Sequence, residues 1–138
     1  MSGSFLDSNV ILYLLSDDDR KRAIAKTILE QPATISVQVL NEIVNVARRK
    51  NGLAWGDIDT FIDELRSLIH VEPLTVDTHN SARQIAARYG FAFYDALIAA
   101  SALSAKCTTL LTEDMQHGQK INDLTIVNPF LLTGDVPQ

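Results

Sequence analysis

Four acids stand where their chemistry would be useful. Asp7 follows the short apolar run Gly3-Ser4-Phe5-Leu6, and Asp114 follows Leu110-Leu111-Thr112 with only Glu113 between. Such runs read as strands, and in open parallel sheets ligands sit beyond the carboxyl ends of the strands. Glu42 shares a helical stripe with Val39 and Val46, beside an apolar face. An acid there costs desolvation unless something cationic meets it. Asp95 opens an Ala-rich stretch with helical character. Each acid has a plain reading by itself. Glu42 snorkels or pairs with Arg49, and Asp95 answers the helix macrodipole for ~0.3–1 kcal/mol. Converging on one sheet edge, the four would repel and raise one another's pKa. A hard divalent cation resolves that conflict, because Mg²⁺ and Mn²⁺ take oxygen ligands octahedrally. Such a site activates water and stabilises charge on a phosphoryl oxygen. The chain holds 17 acids in 138 residues, so it is their placement, not their number, that carries information.

The elements that position these acids follow from hydrophobic periodicity and capping residues. Short apolar runs alternate with longer helical stretches, the pattern of βαβ units around a parallel sheet. Gly3–Leu6 reads as a first strand and Asn9–Leu15 as a short helix. Ser16 is the expected N-cap of a helix reaching Leu29, with Asp17, Asp18 and Asp19 in its first turn and Pro32 beyond it. Ala33–Ile35 is a second strand, and Ser36 caps a helix to about Lys50 with a core stripe at Leu40, Ile43, Val44 and Ala47. After Asn51-Gly52, the next helix opens at Gly56-Asp57 and carries Ile58, Phe61, Ile62, Leu65 and Ile69, forming a hairpin with its predecessor. His70–Leu74 is a short or edge strand because Pro73 crosses it. Asp77 is the expected cap of a helix ending at Tyr89-Gly90, where Gly suits the C′ position. Phe93–Ala105 is a small-residue helix, and Thr108–Thr112 and Leu124–Val127 are the last strands. The tail from Leu131 shows no element.

The composition agrees with one domain over residues 1–138, 46% hydrophobic, with no repeat, linker or low-complexity run. The lone Cys107 excludes an internal disulfide framework and a four-cysteine zinc site, and reads as a buried thiol. A net charge of −5 argues against holding nucleic acid by bulk electrostatics. Any dealing with nucleic acid then rests on a local basic patch or a bound cation. No run reaches the ~18 apolar residues of a membrane span. Phe5–Leu15, broken by Asp7 and Asn9 and without a basic leader, is no signal peptide, so a cytoplasmic protein is expected.

Taken in order, Phe5-Leu6-Asp7-Ser8-Asn9, Glu42 within Val39-Leu40-Asn41-Glu42-Ile43, Tyr94-Asp95-Ala96-Leu97-Ile98-Ala99-Ala100 and Leu111-Thr112-Glu113-Asp114 resemble the PIN domain, with the spacing of a compact VapC-type toxin. The resemblance runs from Phe5 to about Pro129. It implies a three-layer α/β/α sandwich around a central parallel sheet, and an Mg²⁺- or Mn²⁺-dependent endoribonuclease leaving 5′-phosphate and 3′-hydroxyl ends. It further implies that Asp7, Glu42 and Asp95 are the main catalytic and metal-site carboxylates and that Asp114 is the fourth, reaching metal through water. Asn9 and Thr112 match supporting polar positions. Glu113 is ambiguous, although the family pattern selects the later acid. The resemblance also implies an RNA substrate, a cognate antitoxin protein and a homodimer, with one or two metal ions.

Other features carry alternative readings. Arg48-Arg49-Lys50 either compensates a helix C-terminus or contacts phosphate along an RNA path. The apolar face of the hairpin, with Leu53, Trp55 and Phe61, is core first, and secondarily a docking face for an antitoxin segment or a second copy. His70, His79 and His117 lack ligand spacing and read as structural or solvated. A phosphatase of the haloacid dehalogenase type also begins with an Asp after a strand, but needs a second Asp where Asn9 stands. A receiver domain needs paired early acids. A non-catalytic metal-binding interaction module is the alternative from a different class.

Overall fold

In the computed structural model, which describes residues 3–131, the strands are too short to be stable alone and gain stability by joining one sheet. β1 (Ser4–Leu6), β2 (Ala33–Ser36), β3 (His70–Glu72), β4 (Thr109–Leu111), β5 (Lys120–Ile121) and β6 (Leu124–Val127) lie in the order β3-β2-β1-β4-β6-β5. Ser4 stands beside Ala33 on one side and Thr109 on the other, and Leu6 beside Leu111. β3 is an edge strand and stops at Glu72, one residue short of Pro73. The sheet departs from the expected all-parallel form at β5, which pairs antiparallel with β6. Two residues returning through a tight turn at Asn122 (φ 54°) are too few to leave a periodic signal in the sequence.

The helices are α1 (Ser8–Leu12), followed by one 3-10 turn at Tyr13–Leu15, α2 (Asp19–Leu29), α3 (Val37–Arg49), α4 (Trp55–Leu68), α5 (Val76–Tyr89) and α6 (Phe93–Ser104). β1 to β2 to β3 steps outward in one direction, whereas β3 to β4 steps back past β1. Right-handed crossovers therefore place α1–α4 on one face and α5–α6 on the other, which makes the three-layer sandwich. The chain reverses direction between β1 and β4. That is the switch point where open α/β sheets bind ligands, and Asp7 and Asp114 follow those two strands.

Phe5, Leu6, Ile35, Ile43, Ile98, Leu110 and Ile126 are fully buried in one connected core. The Ala-rich α6 buries Ala96 through Ala102 without a break, so its small side chains bring the helix close to the sheet. Cys107 is buried, as expected of an inert thiol. Three local expectations fail. Asp18, not Ser16, caps α2 by accepting from the Lys21 amide, while the Ser16 hydroxyl closes the preceding turn by donating to the Tyr13 carbonyl. Thr75, not Asp77, caps α5 through the Thr78 amide. Val39, rather than Leu40 or Val44, joins Ile43 and Ala47 in the buried stripe of α3. Ser36 and Gly90 behave as expected: the Ser36 hydroxyl accepts from the Val39 amide, and Gly90 adopts φ 74° at the end of α5. Among the described residues no helix is long and apolar enough to cross a membrane.

Candidate active site

Asp7 is fixed from both sides of the switch point. Its amide donates to the Leu111 carbonyl across the sheet edge at 3.0 Å, and its carboxylate caps α1 by accepting from the Ser8 amide at 2.7 Å. The other carboxylate oxygen accepts from the Thr112 hydroxyl at 2.9 Å. Asn9 works as a clamp between the two strand ends. Its Nδ2 donates to Asp114 Oδ2 at 3.0 Å and its Oδ1 accepts from the Glu113 amide at 3.1 Å. The Asp114 amide donates to Thr112 Oγ1 at 3.2 Å, completing the turn. Asn9 and Thr112 thus hold Asp7 and Asp114 in a fixed relation.

Glu42 comes in from α3. The Ser8 hydroxyl donates to its Oε1 at 2.9 Å and Gln38 Nε2 to its Oε2 at 3.3 Å. Ser8 and Gln38 were not singled out in the sequence, although the i, i+4 spacing of Gln38 and Glu42 is a readable signal. Pairing of Glu42 with Arg49 does not occur among the described ion pairs. Asp95 lies in the first turn of α6, half-buried, while Asp114 is exposed.

Electrostatics ties the four acids together. Burial pushes the Asp7 carboxyl up to about 6; hydrogen bonds from Thr112 and Ser8 pull it down, and the charges of Glu42 and Asp95 add to the rise. Asp95 is likewise held above the ordinary carboxylate range by burial, then by Asp114 and Glu42. Four carboxylates close enough for Glu42 to raise both Asp7 and Asp95, with no His or Cys in the set, offer hard oxygen donors of the kind Mg²⁺ or Mn²⁺ takes. Among the described residues no three His, Cys, Asp or Glu side chains are gathered tightly enough to grip one ion directly. Mg²⁺ usually retains several waters between itself and the protein, so carboxylates this far apart would hold it partly through water.

Glu113 turns away from this set. It pairs with Lys21, which also donates to the Tyr13 hydroxyl at 3.0 Å, and Tyr13 donates to Glu113 in turn. Burial raises the Glu113 carboxyl, but the hydrogen bonds from Lys21 and Tyr13 outweigh that and leave it below its ordinary value. Lys21 also lies over the rings of Tyr13 and Phe130. This cluster anchors the turn after β4 to α2. Both Glu113 carboxylate oxygens are thereby engaged, by Lys21 and by Tyr13.

The basic run divides. Arg48 donates to the Leu53 carbonyl and lies over Trp55, closing the hairpin, whereas Arg49 and Lys50 line an open hollow beside Asn45. The histidines take structural contacts: His117 Nδ1 accepts from the Asn128 amide, His70 meets Glu72, and His79 packs on Phe93. A cavity of about 490 Å³ between α5 and α6 contains none of the four acids.

The PIN domain family model matches residues 4–120. No curated protein matches the sequence. Among solved structures, a toxin–antitoxin complex from Klebsiella pneumoniae superposes with a TM-score of 0.71 at 21% identity, covering 92% of this chain and 98% of that one. VapC20 of Mycobacterium tuberculosis, described as a Sarcin-Ricin loop cleaving toxin, gives 0.66 at 20% identity over 78% and 87% of the two chains. A DNA-bound VapBC complex from Salmonella typhimurium gives 0.66 at 22% identity over 91% and 97%.

Proposed function

Because this chain belongs to the PIN-domain family, we propose that it is a divalent-cation-dependent endoribonuclease and the toxin of a toxin–antitoxin pair. The observation that carries this reading is the acid cluster at the switch point, where Asp7, Glu42, Asp95 and Asp114 arrive from four separate elements and the carboxyls of Asp7 and Asp95 are raised by burial and by the charges of their acidic neighbours. A buried carboxylate near-neutral in its pKa is costly to a fold and common at functional sites.

In this reading the four acids hold Mg²⁺ or Mn²⁺. The ion, when bound, supplies water activation and neutralises charge at the scissile phosphate. The protein's part is positioning. Thr112 and the Ser8 amide aim the two oxygens of Asp7, Ser8 and Gln38 fix Glu42, and Asn9 keeps Asp114 facing the same space. Asp95, at the start of α6, closes the set from the opposite layer of the sandwich. RNA reaches this edge from the open side, since Asp114 is exposed.

The antitoxin reading is supported by the toxin–antitoxin complexes among the structural neighbours and by the α3–α4 hairpin. Trp55 and Leu68 there are 55% and 64% exposed, and a small apolar hollow between Leu14, Leu29, Phe61 and Leu65 opens beside Leu68. An amphipathic antitoxin segment fits such a face. A homodimer and a cytoplasmic site of action complete the proposal.

Incubating purified protein with a mixed RNA pool tests the enzyme reading. Cleavage is expected with Mg²⁺ or Mn²⁺, and not with EDTA or with Asp95→Asn. Equal cleavage by Asp95→Asn, or cleavage in EDTA, overturns it. Release of p-nitrophenol from p-nitrophenyl phosphate without RNA cleavage assigns a phosphatase instead.

A further inference from the structure

The stripe of α3 that carries Glu42 also carries three carboxamides, Gln38, Asn41 and Asn45. With Tyr94 of α6 they line an open cleft of about 460 Å³. Tyr94 is 63% exposed, an unusual placement for so large a ring. Gln38 is engaged with Glu42, while Asn41 and Asn45 lie exposed on the outer face of the helix. Asn45 also lines the adjoining hollow with Val46, Arg49 and Lys50. Through Asn45 the two hollows adjoin, so Glu42, the amides and an aromatic ring lie beside two cations.

We propose that this cleft is a subsite for an unpaired nucleobase of single-stranded RNA beside the scissile phosphate, with Tyr94 stacking on the base and Asn41 and Asn45 reading its edge. The inference rests on the ribonuclease reading of the neighbouring acids. Charge decides which part of a nucleotide can enter. Glu42 lines the cleft and no cation does, so a phosphate is repelled there and a neutral base is not. The phosphate of the next nucleotide falls to Arg49 and Lys50, one helical turn further along. A carboxamide carries both donor and acceptor, which matches the mixed edge of a base, and sequence-specific RNA recognition works mainly on unstacked bases held by aromatic rings. An exposed ring beside amides also suits this occupant better than an apolar protein face.

Binding of short fluorescein-labelled adenylate, cytidylate and uridylate oligonucleotides, with Ca²⁺ present, reads the subsite apart from cleavage. Tyr94→Ala is expected to weaken binding about 5- to 30-fold, and Tyr94→Phe, which keeps the ring, by less than about twofold. Asn45→Ala is expected to change the ranking of the three oligonucleotides. Arg49→Ala is expected to weaken all of them alike and lower the salt slope by about one. Tyr94 is exposed, so these variants fold. If the wild-type protein cleaves RNA while Tyr94→Ala binds as tightly as wild type, the subsite is overturned and the nuclease reading stands. If the wild-type protein neither binds nor cleaves, both are overturned. If Tyr94→Ala changes the sedimentation of the protein and leaves RNA affinity intact, the face belongs to a second copy and the subsite is overturned.

Discussion

Replacing Asp7 by Asn isolates the cost of burying an ionised carboxylate. Asp7 is 4% exposed, and its carboxyl is pushed from 3.8 to about 6. The native protein therefore holds this proton more tightly than the unfolded chain does. That penalises folding above pH 6, and the penalty fades as the pH falls through 6 towards 4. A shift of about two pKa units amounts to roughly 3 kcal/mol at neutral pH. About 1.5 kcal/mol of that is relieved between pH 7.5 and pH 5. Asn carries no charge, so the variant loses this pH-dependent term. It keeps a fixed cost, because its amide nitrogen meets a Thr112 hydroxyl that had been donating to Asp7, a mismatch of ~1–2 kcal/mol at any pH. Urea unfolding of both proteins in EDTA across this pH range gives the difference directly. The variant is expected to gain about 1.5 kcal/mol on wild type between pH 5 and pH 7.5, whatever its fixed offset. A difference that stays flat, or runs the other way, refutes burial as the cause of the raised pKa. Adding Mn²⁺ at pH 7.5 is expected to stabilise the wild-type protein and leave the variant unchanged.

Other perturbations follow from particular contacts. Lys21→Met removes the partner of Glu113 and Tyr13 and is expected to cost about 1 kcal/mol in urea unfolding, since the pair is partly exposed. That contribution is present at neutral pH and lost as the pH falls through the lowered pKa of Glu113, so the gap between Lys21→Met and wild type should close in acid. Ile98→Ala, at a fully buried position of α6, is expected to cost about 2–5 kcal/mol. Gly90→Ala meets no neighbouring atom, so its cost of about 1 kcal/mol comes from φ 74° alone. Cys107 is expected to resist a thiol reagent in the folded protein and react after unfolding; fast native labelling contradicts its burial.

What could be read from the sequence was whatever a local rule fixes. Ser36 before a run of apolar residues at helical spacing marked the start of α3, and Gly90 marked the end of α5. Asp7 and Asp114 were placed at one edge because both follow apolar strands, and the sheet order puts those strands side by side. Local rules cannot place a cap where several candidates compete: Ser16, Asp17 and Asp18 all suit the start of α2, and only backbone geometry selects Asp18. β5 leaves no mark in the sequence because two residues show no period. The buried stripe of α3 keeps Ile43 and Ala47 but takes Val39 in place of Leu40 and Val44, since these keep helical spacing with either neighbour and only the packing of the sheet distinguishes them. The Lys21–Glu113–Tyr13 cluster joins residues far apart in the chain, and no local pattern announces it.

The most direct measurement follows Mn²⁺ binding and RNA cleavage in one titration, for wild type and Asp7→Asn side by side. The account predicts that in the wild-type protein cleavage rises with occupancy of the ion, and that in Asp7→Asn both are lost while the fold persists. Tight Mn²⁺ binding and full cleavage by Asp7→Asn would contradict it, as would wild-type cleavage that proceeds before any ion is bound.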